Sequence, residues 1–82
     1  MTRSKFIRIE YKKIKELDPR QDWELDTCYE NRYPVKTAQH RAKQLSKRKD
    51  IAEVLLTGYL DPDNDPSIQE WYENGKLTFK MF

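Results

Sequence analysis

Between residues 5 and 14 the chain alternates, with Ile7, Ile9 and Tyr11 recurring on one side and Arg8, Glu10 and Lys12 on the other. A period of two over that length is the pattern of a strand with one face on a core and one in water. Phe6 and Ile14 interrupt the polar side only at its ends. Residues 15–22 contain Pro19 and no periodic pattern, and read as a connection. A second strand is expected from residue 23 to about 29, with Trp23, Leu25, Thr27 and Tyr29 turned inward and Glu24, Asp26 and Cys28 outward. The unlike charges of the two outer faces suit antiparallel neighbours, each such pair contributing roughly 0.2–1 kcal/mol.

A helix is expected to begin at Thr37, an N-cap type placed just after the helix-resistant Tyr33-Pro34 step, and to end near Lys49. At about 100° per residue, Ala38, Ala42 and Leu45 fall on one narrow stripe, so the small side chains let the helix lie close on a sheet. The opposite stripe carries Lys36, His40, Lys43 and Lys47, flanked by Arg41 and Arg48. Residues 51–60 hold apolar side chains on both faces and read as the central strand, with Gly58 marking a bulge or a close approach. Residues 61–66 form a loop, since Pro62 and Pro66 donate no backbone hydrogen bond. Two last strands, 67–73 and 76–82, flank Asn74-Gly75, the strongest short-range signal for a two-residue type I′ turn. On the final strand Leu77, Phe79 and Met81 face one way and Thr78, Lys80 and Phe82 the other.

The order is therefore ββαβββ. It predicts one α+β domain over residues 1–82, a small antiparallel or mixed β-sheet with one helix packed on it. The strand 76–82 is expected at a sheet edge, available to a partner or to a second copy of the chain, and blunted by neither charge nor proline after Lys80.

Composition narrows the picture. Charged residues make up 37% of the 82 residues, against a usual value of about 25%. The core must be thin, and a partner or self-association is expected to add stability. Ten aromatics and clear strand patterning argue for a folded chain all the same. The single cysteine, Cys28, has no internal disulfide partner, and residues 1–5 lead into a strand without a signal-peptide apolar run. A cytoplasmic, reducing location is the expectation. No apolar run approaches the roughly 20 residues of a membrane span.

Charge is laid down in blocks. Residues 1–15 hold six bases and one acid, 16–30 one base and six acids, 31–49 seven bases and no acid, and 50–82 two bases and seven acids. A small net charge of +2 thus conceals a dipolar chain. The basic helix 36–49, with Lys36, Arg41, Lys43, Lys47 and Arg48, could neutralise successive phosphates. A Lys-rich stripe is more commonly a solvated face, however, and this one lacks the aromatic or amide side chains that stack or read bases.

Other candidate chemistry is thin. Asp61, Asp63 and Asp65 resemble the opening of a calcium loop, but Pro66 stands where glycine makes the sharp turn and Tyr72 where a glutamate closes the shell. An acidic turn is the simpler meaning. His40 is the sole histidine and lies far along the chain from Cys28, with no third group to orient a Cys–His nucleophile pair. A structural zinc site needs about four ligands of these types. No catalytic site, metal site or cofactor is expected, and the chain is not read as an enzyme.

The aromatics carry the functional expectation. Trp71 and Tyr72 point to opposite faces of the last hairpin, as do Phe79 and Phe82, and one helix covers one face. Exposed aromatic rings beside charge are the composition of protein-binding hot spots. The sequence therefore predicts a non-catalytic protein-binding module, a small regulator, adaptor or inhibitor of the kind mobile elements also carry. Its contact residues would be Trp71, Tyr72, Phe79 and Phe82. The alternative is a nucleic-acid-binding accessory protein that uses the basic helix.

Overall fold

The computed structural model describes residues 5–14, 23–61, 63 and 65–81. Its elements follow the expected order: β1 (Phe6–Lys13), β2 (Glu24–Glu30), α1 (Val35–Ser46), β3 (Ile51–Tyr59), β4 (Ile68–Glu73) and β5 (Lys76–Met81). The strands form one sheet in the order β2-β1-β3-β4-β5, every neighbouring pair antiparallel. β3 is central, as its two apolar faces require, and β2 and β5 are the edges. α1 lies across one face, which we call the core face.

Three register rows build the core. Ile7 faces Tyr29 and Gly58, Ile9 faces Thr27 and Leu56, and Tyr11 faces Val54, which in turn pairs with Tyr72. Over these rows α1 lays Ala38, Ala42 and Leu45, all buried. The alanines permit the close approach expected of them. Gly58 marks a close approach and no bulge: a Cβ there would meet Ile68 Cγ2 at 2.5 Å and the Tyr33 hydroxyl at 2.9 Å. Burial raises the Tyr33 phenol above its ordinary value, and a hydrogen bond to Ser67 works weakly against this.

The helix departs from its expected bounds at both ends. It starts at Val35, with Pro34 as an N-cap that offers no side-chain acceptor, so Thr37 lies inside the first turn. Proline is well suited to a helix start because the first N–H groups have no intrahelical acceptor. At the other end the Lys47 and Arg48 N–H groups donate to the Gln44 and Leu45 carbonyls, a tightening last turn that stops the helix before Lys49. Ser46, buried beneath that end, donates to the Lys43 carbonyl at 2.8 Å and accepts from the Gly75 N–H at 2.8 Å. The helix end and the β4–β5 turn are thereby joined. Asn74 and Gly75 have φ of 51° and 78°, the paired positive values of a type I′ turn.

Two bulges overturn expected side-chain directions. On β2 the register shifts between Ile9 opposite Thr27 and Glu10 opposite Leu25, so Asp26 is the extra residue. Thr27 and Tyr29 remain on the core face, but Leu25 passes to the other face and is 58% exposed. Asp26 is released toward α1. Trp23 precedes the strand, with the Lys12 ammonium 4.7 Å from its ring centroid. On β5 a shift between Leu77 and Phe79, with Thr78 the extra residue, places Leu77 opposite Tyr72 and parts it from Phe79 and Met81, which stand opposite Trp71 and Gln69.

Candidate functional site

The sheet face opposite α1 is covered by no described element. Register alone places its side chains. One row crosses all five strands as Leu25, Glu10, Leu55, Trp71 and Phe79, and the next as Cys28, Arg8, Thr57, Gln69 and Met81. At one end Phe6 stacks on Tyr59 with centroids 4.9 Å apart. At the other, Lys12, Glu53, Glu73 and Lys76 form a charged row.

The apolar members of this face are open to solvent at both edges: Leu25 at 58%, Phe79 at 57% and Met81 at 43%. Trp71 and Phe79 meet edge to face with centroids 5.2 Å apart, which joins the two rings into one aromatic ridge across β4 and β5. The face is not basic. Arg8 Nε lies 3.1 Å from Glu10 Oε1, so the central charges balance within the protein.

The structure divides the expected contact residues. Trp71 and Phe79 sit together on the open face. Tyr72 does not join them: it is buried on the core face, 1% exposed, because β4 alternates and its neighbour Trp71 takes the other side. Tyr72 is thus a core residue, not a contact residue. Phe82 lies outside the described residues.

The basic helix is likewise divided. Arg41 Nε and Nη2 donate to the Asp26 carboxylate at 3.0 and 2.9 Å, the pair created by the β2 bulge. That hydrogen-bonded guanidinium holds the Asp26 carboxyl below its ordinary value, with partial burial opposing it. Arg48 makes the same two-pronged contact with Asp50 at 3.2 and 3.0 Å. Two of the five residues read as a phosphate-binding patch are therefore engaged by acids of the same chain. Lys36 and Lys43 are exposed, and the Lys47 stem lies against the hairpin turn, within 2.8 Å of where a Gly75 Cβ would stand.

A buried carboxylate escaped the sequence reading. Glu70 lies on the core face between Ile68 and Tyr72, 2% exposed. Its Oε1 accepts from the Tyr72 hydroxyl at 2.8 Å and from Gln39 Nε2 of α1 at 3.0 Å, and its Oε2 lies 3.9 Å from Lys80 Nζ. Burial, then the hydrogen bond to Glu70 and its charge, raise the Tyr72 phenol far above its ordinary value. The alternation Ile68, Glu70, Tyr72 was the available signal. On β5 Lys80 stands opposite Glu70 on the core face, and an inward-pointing charge on an edge strand hinders pairing with another chain, while Met81 beyond it is exposed.

The remaining candidates do not assemble. The Asp61 carboxylate accepts from the Asp63 N–H at 3.1 Å, closing its own turn. Cys28, opposite Arg8, faces away from the helix that carries His40. Among the described residues no group of three His, Cys, Asp or Glu gathers as a metal set. No described helix is long and apolar enough to cross a membrane. No protein-family model, no curated protein and no solved structure matches the chain.

Proposed function

We propose that this chain is a non-catalytic protein-binding module whose contact surface is the open face of its sheet, centred on the Trp71–Phe79 ridge. The observation that carries the reading is the apolar row Leu25, Leu55, Trp71 and Phe79, which runs across the face that no described element covers and is interrupted only by Glu10 beside its counter-ion Arg8. Large apolar side chains beside charge, here the Arg8–Glu10 pair within the row and the Lys12, Glu53, Glu73 and Lys76 row at one end, are the composition of a protein interface. A phosphate backbone would instead need unbalanced cations, and on the helix Arg41 and Arg48 already hold carboxylates. For that reason the nucleic-acid reading stands second.

The test is capture from an extract of the source cell by the immobilised full chain, with and without nuclease. Capture should resist nuclease, be abolished by Phe79→Glu and survive the double change Lys43→Glu and Lys47→Glu. Capture that requires Lys43 and Lys47, disappears with nuclease and weakens steeply with salt would establish the phosphate-binding alternative in its place.

A further inference from the structure

We infer that the open face is covered by a second copy of this chain, sheet against sheet, with the two helices outermost. The inference rests on the reading of that face as a protein-contact surface and names its occupant. Two observations carry it: the extent of the face and the way its rows match themselves when reversed.

Five strands spaced about 4.8 Å apart, with roughly six residues each rising about 3.3 Å, outline a face of about 24 by 20 Å. That is about 480 Å² before side-chain relief, which brings the accessible area toward the roughly 800 Å² per partner of a standard stable interface. A single edge strand offers far less. The face is also large relative to the fold, since the core face alone supplies the buried hydrophobic cluster of Ile7, Ile9, Leu56 and their neighbours.

Aligned sheets pack about 10 Å apart with strand directions within about 30°. Consider a two-fold axis along β3, lying between the sheets. It places β2 of one copy across β5 of the other, β1 across β4, and β3 across itself. The row then meets its own reverse: Leu25 lies across from the partner's Phe79, Leu55 from the partner's Leu55, and Glu10, beside its counter-ion Arg8, from the partner's Trp71. In the charged row, Lys12 comes across from the partner's Glu73, and the reciprocal pair forms by symmetry. The two-fold axis perpendicular to the strands would instead reverse each strand on its own copy and set the charged row against the partner's Phe6–Tyr59 end.

One like-charge pair arises, and it makes the arrangement testable. Glu53 pairs with Lys12 on the open face and lies on the strand that the axis follows, so it meets the partner's Glu53 at the rim. Like charges there oppose association, weakly because water and salt screen them. Neutralising Glu53 should therefore strengthen the dimer, an outcome that no generic sticky-surface account requires.

The experiment is sedimentation equilibrium of the full chain over a wide dilution series. Expected is a species of twice the 10.0 kDa chain mass. Phe79→Glu and Leu25→Glu should each weaken self-association by at least about tenfold. Glu53→Gln should strengthen it severalfold, most at low salt, and the Lys43→Glu, Lys47→Glu double variant should leave it unchanged. Cys28 lies within the covered area, so its reaction with a thiol reagent should be slow at high protein concentration and quicken on dilution. Should the Phe79 or Leu25 variant fail to fold, Glu53→Gln and the Cys28 rate decide the question on the intact core. A chain that stays monomeric throughout overturns the second-copy inference, as does a dimer that survives both Phe79→Glu and Leu25→Glu. The broader docking reading is judged separately: Phe79-dependent capture by a monomeric chain shows a different protein occupant, and its absence shows that both readings fail.

Discussion

Replacing Glu70 by leucine removes the only charge buried on the core face among the described residues and strands the hydroxyl that donates to it. The Tyr72 side chain cannot turn to water, because its residue is 1% exposed, so its lost bond leaves an unsatisfied donor worth about 1–3 kcal/mol. Gln39 is half-buried and can find water more cheaply. Lys80 is 55% exposed and 3.9 Å away, so its loss contributes little. We therefore expect Glu70→Leu to destabilise by about 2 kcal/mol. Tyr72→Phe should act from the other side, since it removes a hydrogen bond to a charged acceptor of about 1.5–3 kcal/mol.

The double variant separates a network from two independent sites. With leucine and phenylalanine facing each other no buried polar group is stranded, and replacement of both partners by apolar groups of similar shape is nearly neutral. The double should thus be more stable than the sum of its singles by about 1–3 kcal/mol. Urea unfolding followed by circular dichroism measures this, with an unchanged slope showing that two-state behaviour holds. For a domain of this size each kcal/mol is about 4–8 °C in Tm, so a single change of about 2 kcal/mol is readily seen. Additivity within about 0.5 kcal/mol would refute the reasoning, because it would mean that the hydroxyl and the carboxylate do not depend on each other.

Three further outcomes are expected. Gly58→Ala should destabilise by about 1–3 kcal/mol, because its methyl group would press on Ile68 and the Tyr33 hydroxyl, and Tyr33→Phe should relieve part of the loss in the same thermal melts. Asp26 has its pKa lowered in the folded state, so its contribution is complete above the ordinary value of 3.8 and is lost as the pH falls through the lower folded value. The stability gap between the natural chain and Asp26→Asn should accordingly be constant from neutral to mildly acidic pH and close below it, remaining within about 1 kcal/mol because Arg41 is half-exposed; a gap that widens in acid would contradict this. The Lys43→Glu, Lys47→Glu double variant should stay folded within about 0.5 kcal/mol, and unfolding of that variant would show that the helix register is wrong.

Patterning along the chain determined most of the secondary structure. Alternation at Ile7, Ile9 and Tyr11, the Ala38, Ala42 and Leu45 stripe, and Asn74-Gly75 are local signals, because side-chain period and turn geometry depend on neighbours within a few residues. The central place of β3 followed from its two apolar faces, and the edge position of β5 was legible too. Tertiary structure alone decided the rest. Whether alternation continues along a strand depends on the partner strand, so the bulge at Asp26 could not be read from β2 itself, and with it went the direction of Leu25 and the pairing of Asp26 with Arg41. Which side of β4 the helix covers is likewise a packing outcome, and it sent Tyr72 into the core and left Trp71 on the open face. The burial of Glu70 needed Gln39 from α1 and Tyr72 from its own strand in place together, and a carboxylate is tolerated inside only where folding brings such donors to it.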